Sequence, residues 1–167
     1  MSFSFEIEST PKCEIVFMRG TIDESVNFKI IKPKNEAQLI LDLKGINRLN
    51  SLGLRNWVQW MRFLNPHAGI VLRNCPNVVV HQINILDGFL PEHSIIESIE
   101  IPYTCDGCGH QTTYLAVRGR DYFEATADKA EQVSLPLQRK CVSCGDQAEA
   151  DIMVAKHFRF LRRRLKP

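Results

Sequence analysis

The chain has 167 residues, of which 44% are hydrophobic and 24% are charged, and its formal net charge is only +2. A chain of this composition can bury a hydrophobic core, so we expect a folded protein rather than a disordered one. The small net charge provides no overall field that would draw the protein to nucleic acid or to a membrane, although a local patch could do so.

Two features of the sequence set the expected compartment. No apolar run approaches the roughly eighteen residues that a membrane helix needs, and the start MSFSFEIEST lacks the basic and apolar regions of a signal peptide. We therefore expect a soluble, cytoplasmic protein without membrane contact. In a reducing compartment the six cysteines are expected to be metal ligands, core residues or redox groups rather than disulfides.

The first hundred residues alternate between strand and helix patterns. FSFEIEST and CEIVFMRGTID, separated by a Thr-Pro-Lys turn, predict a hairpin, and the apolar run QLILDLKG at 38–45 predicts a central strand covered on both faces. A helical period then runs from Ser51 to the stop at Asn65-Pro66. Further along, AGIVLRNC predicts a strand, residues 76–90 a helix, and SIIESIEI another strand.

This alternation requires crossover connections, which place helices over a mainly parallel sheet. Residues 1–102 are therefore predicted to form an α/β domain. The character changes at Pro102: residues 103–150 have few periodic apolar positions and carry four cysteines, and residues 151–167 predict a basic terminal helix.

The four cysteines form two C-x-x-C-G motifs, CDGCG and CVSCG, and the predicted ligands are Cys105, Cys108, Cys141 and Cys144. Two residues between thiolates allow a tight turn to direct both sulfurs at one ion, and the glycine after each pair can adopt the positive φ of such a turn. Four thiolates in two turns favour one structural zinc ion. The alternatives are a redox dithiol pair and a site in which His110 replaces one thiolate, while Cys13 and Cys75 are expected to be core thiols. The segment resembles a zinc ribbon, a likeness that implies metal binding and leaves the function open.

The stretch INRLNSLGLRNW places Ser51 and Gly53 at the start of the predicted helix. The simplest interpretation is that the Ser51 hydroxyl caps the helix N-terminus. A nucleophile elbow is disfavoured because the G-x-S-x-G pattern is absent. Alternatively, a phosphate on Ser51 would be stabilised by the free N–H groups of the helix, and Gly53 would leave that end open to a partner.

LILDLKGINRLNSLGLRNWVQW resembles the central motif of STAS domains, the anti-sigma-factor antagonist fold, in which a strand leads through a D-S-x-G-L turn to a helix. The segment GTIDES at 20–25 and the run VVVHQINILDGFL are similar to two further family segments. By this resemblance Ser51 matches a serine that an anti-sigma kinase phosphorylates, and Gly53 matches the family glycine. Asn50 stands where the family has Asp. The resemblance implies a STAS-like mixed sheet and a non-catalytic regulator whose partner is an anti-sigma or other serine kinase.

The C-terminal helix could also be the last helix of such a domain, with the cysteine segment inserted before it. Its basic residues Arg159, Arg162, Arg163 and Arg164 have no acidic neighbour in sequence, so they form either a solvated face or a contact for an acidic partner. Together with a zinc ribbon, they support the alternative hypothesis of a nucleic-acid-binding protein. Trp57 is expected in the core rather than on a partner surface.

Overall fold

The structure is a computed structural model that describes residues 1–32, 38–64 and 69–163. It divides into two compact units, Met1–Glu97 and Ser98–Pro167. Within the described part of the chain, every helix is too short or too polar to cross a membrane.

The first unit contains a five-stranded sheet in which the strands follow one another in chain order. β1 pairs antiparallel with β2, whereas the pairs β2–β3, β3–β4 and β4–β5 are parallel. The strands are β1 Ser4–Ser9, β2 Cys13–Ile22, β3 Gln38–Leu49, β4 Ile70–Arg73 and β5 Ile95–Ile96. The predicted hairpin, the central position of β3 and the mixed, mainly parallel α/β class are confirmed.

Two α-helices and a short 3-10 helix connect these strands, namely the 3-10 helix Phe28–Ile30, α1 Ser51–Phe63 and α2 Asn77–Ile85. In β2 and β3, alternate residues such as Val16 and Leu41 are completely buried. The indole of Trp57 is also buried, and its Nε1–H donates to the carbonyl oxygen of Phe89 at 2.9 Å. This contact confirms that Trp57 belongs to the core, where its polar N–H finds a partner.

The second unit is built on an antiparallel sheet of four strands in the order β10-β11-β6-β7. Its strands are β6 Ser98–Cys105, β7 Gln111–Val117, β10 Gln138–Lys140 and β11 Gln147–Ala150, and a separate two-stranded ribbon consists of β8 Tyr122–Phe123 and β9 Gln132–Val133. The segment SIIESIEI, expected to be one strand, is divided between β5 and β6 and therefore between the two sheets. The boundary expected at Pro102 consequently lies inside β6, because Ser98 to Thr104 pair with β7.

The last described residues form two four-residue helices, α3 Val154–His157 and α4 Phe160–Arg163, rather than one helix. The prediction of a continuous helix is therefore wrong for the described residues. The break lies at Phe158, with φ −100° and ψ 19°, and the apolar residues on both sides of the exposed Arg159 are buried. Phe158 and Phe160 both pack on the ring of Tyr122, at 5.4 Å and 5.9 Å between centroids. These contacts lie within the second unit.

Candidate functional site

The two C-x-x-C motifs form matching turns at the ends of strands. Cys105 is the last residue of β6, and Cys141 directly follows β10. In each turn the glycine N–H donates to the carbonyl oxygen of the first cysteine, at 2.9 Å for Gly109 and 3.0 Å for Gly145. Both glycines have the predicted positive φ, 70° and 80°, which a side chain would disfavour.

The sheet brings these two turns together. Strand β11 lies between β10 and β6, so that Ala148 pairs with Arg139 on one side and with Cys105 on the other. More than thirty residues of sequence separate the two turns, so their position along the chain does not bring them together. The antiparallel pairing is therefore what assembles the cysteine cluster.

The four sulfur atoms lie within 4.8 Å of one another. The Cys105 and Cys144 sulfurs are 3.5 Å apart, and the Cys108 and Cys141 sulfurs are 3.7 Å apart. Thiolates at the corners of a tetrahedron around a zinc ion, with Zn–S bonds of about 2.3 Å, would be separated by about 3.8 Å. The cluster therefore has the size that a tetrahedral metal ion requires, and the four predicted ligands can bind one ion.

The thiols of the cluster differ in acidity. Backbone N–H groups of Cys144 and Ser143 lower the pKa of Cys141 to about 6, because they stabilise its thiolate. Although the backbone N–H of Asp146 lowers the pKa of Cys144, hydrogen bonds with the neighbouring thiols of Cys108 and Cys105 raise it to about 12. Cys144 therefore keeps a proton that a bound cation would displace.

The cluster is open on one side. Cys105 and Cys141 are buried, with 2% and 6% of their surface exposed, whereas Cys108 and Cys144 are exposed. His110, the alternative ligand, does not belong to the cluster. Of the two remaining thiols, Cys75 is buried as expected, but Cys13 is only half-buried.

At the start of α1 the capping residue is Asn50 and not Ser51. The Asn50 side-chain oxygen accepts the Gly53 N–H at 2.8 Å, and Ser51 is the first helical residue, with an exposed side chain. The expectation that Ser51 caps the helix is therefore wrong. Asn is as good a cap as Ser, and it reaches the third helical N–H from the position before the helix.

Gly53 has a packing role that the sequence did not reveal. It is buried, and a Cβ at this position would overlap the carbonyl oxygen of Ile22 and lie 2.7 Å from the backbone nitrogen of Asp23. The expectation that Gly53 keeps the helix end open to a partner is therefore wrong, because the backbone of β2 fills that space. Because Gly53 has no side chain, α1 can approach the end of β2 closely.

The surroundings of Ser51 include a carboxylate that the sequence analysis did not assign to the site. The Asn50 side-chain amide donates to the Glu24 carboxylate at 2.7 Å, and this bond lowers the pKa of Glu24. The register of β2 with β3, in which Ile22 pairs with Leu49, brings the two strand ends together. Glu24 lies in the segment GTIDES, but only this register, which the folded sheet sets, brings it to the turn.

The basic residues of the C-terminus are not a uniform patch. Arg159 is exposed, and Arg162 forms an ion pair with Glu131, with 2.6 Å between Nε and Oε1. The expectation that these residues have no acidic partner is therefore wrong for Arg162. The Arg163 side chain and Arg164 lie outside the described part of the chain.

No protein-family model matches the chain, and no curated protein matches it in sequence. The likeness to STAS domains and to zinc ribbons consequently rests on the sequence motifs alone.

Proposed function

We propose that this is a regulatory protein that acts through protein–protein contact at the start of α1 and contains one structural zinc ion in its second unit. The observation that carries the first part is the exposed pair Ser51 and Leu52 at the end of the central strand β3. Leu52 lies two residues after the cap Asn50, and 53% of its surface is exposed. In this proposal the exposed Leu52 side chain and the Ser51 hydroxyl next to it are the groups that the partner contacts.

In this proposal Ser51 is the switch. A phosphate on its hydroxyl would lie at the N-terminus of a thirteen-residue helix, where backbone N–H groups and the helix dipole favour negative charge. The neighbouring residue Asn50 binds the Glu24 carboxylate through its side-chain amide. Phosphorylation of Ser51 would therefore add negative charge close to an existing carboxylate. A partner that recognises the unmodified turn would therefore be repelled by the modified one. The partner that modifies it is a serine kinase of the anti-sigma or a related class.

The zinc assignment follows from the donor set. Four sulfur ligands at tetrahedral separations favour zinc over the oxygen-preferring cations. Cys105, Cys108, Cys141 and Cys144 would hold the ion and leave no coordination position for water, so its contribution is to the folding of the second unit.

Metal analysis of the purified protein tests this part. We expect one zinc ion per chain and protection of four of the six cysteines from alkylation until a chelator is added. A protein that folds with no metal and with all four thiols freely alkylated contradicts the assignment.

The switch is tested by recovering bound proteins from native cells with wild-type protein, Ser51→Ala and Ser51→Asp. We expect at least one partner to be recovered with Ser51→Ala and lost with Ser51→Asp, and we expect mass spectrometry to find phosphate on Ser51 in the native protein. Ser4→Asp is a matched control, since Ser4 is also an exposed serine of the first unit but lies on β1. Equal recovery of every partner with both Ser51 variants refutes the switch.

A further inference from the structure

The exposure of the four ligands is unequal, and this inequality has a chemical consequence. Two short sulfur–sulfur contacts each join an exposed thiol to a buried one across the two turns, Cys108 with Cys141 at 3.7 Å and Cys144 with Cys105 at 3.5 Å. The residues around the exposed thiols, 106–110 and 142–147, are themselves exposed. A small solute can therefore reach Cys108 and Cys144 but not the other two sulfurs.

We propose that Cys108 and Cys144 are oxidation sites at which a peroxide converts the metal-bound cluster into disulfides between the two turns and releases the metal. This inference rests on the metal centre proposed above but is independent of Ser51. It extends that centre from a structural role to a peroxide-responsive one.

The reaction can be written with the residues at hand. The Cys108 thiolate attacks one oxygen of hydrogen peroxide, so that an S–O bond forms, the O–O bond breaks and hydroxide leaves. The Cys141 thiolate then attacks the Cys108 sulfur, which forms the S–S bond, breaks the S–O bond and releases a second hydroxide. Two thiolates lose two electrons in total, and the peroxide gains them.

The distances allow disulfides between the turns. The Cys108 and Cys141 sulfurs need to approach from 3.7 Å to a disulfide bond of about 2.05 Å. Once a pair is oxidised, two of the four negative ligands are lost and the remaining two do not hold a tetrahedral ion. Metal release is therefore the observable consequence of the oxidation.

Zinc release after addition of hydrogen peroxide to the metal-loaded protein, followed with a chromogenic chelator, is the primary test. We expect zinc release to accompany the loss of four thiols. Peptide mapping should identify Cys108–Cys141 and Cys105–Cys144 disulfides. A thiol reductant with added zinc should restore the metal centre. Cys13 provides the internal reference, because it is a half-buried thiol outside the cluster, hydrogen-bonded to the Thr10 hydroxyl at 3.2 Å. Cys13→Ser should release zinc at the wild-type rate.

A second variant separates the exposed thiols from the metal site. Cys108→His, combined with Cys144→His, keeps four ligands of types that zinc accepts but removes both accessible thiolates. We expect this variant to keep its zinc and to release it about tenfold or more slowly in peroxide.

The outcomes are distinguishable. A wild-type protein that keeps its zinc while Cys13 is oxidised overturns the inference and leaves the metal centre intact. Disulfides within either turn, Cys105–Cys108 or Cys141–Cys144, overturn the assigned pairing. A protein without metal at the outset overturns the metal centre and this inference with it.

Discussion

Replacing Gly53 with alanine tests the close approach of α1 to the end of β2. The added Cβ would lie 2.7 Å from the Asp23 backbone nitrogen and closer still to the Ile22 carbonyl, whereas ordinary contacts begin at 3.4 Å. Backbone atoms must therefore move apart by at least about 0.7 Å in a close-packed region. Such overpacking costs about 1–3 kcal/mol, and the better helix propensity of alanine returns about 1 kcal/mol at most.

We therefore expect Gly53→Ala to lower the free energy of unfolding of the first unit by about 1–2 kcal/mol, which lowers the urea midpoint by roughly 0.3–2 M. The assay is urea unfolding followed by tryptophan fluorescence, because both tryptophans of the chain, Trp57 and Trp60, lie in α1. Gly69→Ala is the matched control, since the nearest atoms to its Cβ belong to the Gln38 side chain, at 3.9 Å or more. A Gly53→Ala protein as stable as wild type and as Gly69→Ala refutes the packing argument.

Three further predictions concern the cap, the metal and a buried histidine. Asn50→Ala should lower the free energy of unfolding of the first unit by about 1 kcal/mol in urea, and Asn50→Ser by much less because Ser also caps. Asn50→Asp should be less stable than wild type near pH 7, and this difference should shrink in acid as Glu24 and the introduced carboxylate are protonated. Equal stability of all variants contradicts the capping role. The three tyrosines all lie in the second unit, so their near-ultraviolet circular dichroism reports on its folding. Chelation of the metal under reducing conditions should abolish this signal, and added zinc should restore it. An unchanged spectrum contradicts a structural ion. Burial lowers the pKa of His157 to about 4, so on acidification the unfolded state is protonated before the folded state. The free energy of unfolding of the second unit should therefore fall by up to about 3 kcal/mol between about pH 6.5 and 4. His157→Gln should lack this component, and parallel pH curves for the two proteins would show the prediction to be wrong.

The elements that the sequence predicted well are those whose signals are local. The hairpin of β1 and β2, the strand β3 and the helix α1 each carry a complete hydrophobic period within one segment. The two cysteine turns are equally local, because C-x-x-C-G contains the ligands and the glycine that the turn requires.

The elements that were missed depend on partners distant in sequence. SIIESIEI reads as a single strand, but Ile96 pairs with Leu72 of the first sheet and Ser98 with Val117 of the second. A strand pattern contains no information about which neighbour it pairs with, so the change of sheet after Glu97 could not be read from it. The ion pair of Arg162 with Glu131, thirty-one residues away, was hidden for the same reason.

At the start of α1, the sequence by itself determined that a helix begins after a buried strand and that a polar residue caps it. Only the tertiary structure decided that Asn50 is that cap, that Gly53 lies against the backbone of β2, and that Glu24 reaches the turn. For the cysteines, the sequence determined the ligand types and the turns, whereas strand pairing decided that all four sulfurs meet and that only two are exposed. The reason is physical: turn geometry and amphipathic period depend on residues a few positions apart, but close packing, exposure and charge pairing depend on segments that only the folded sheet brings together.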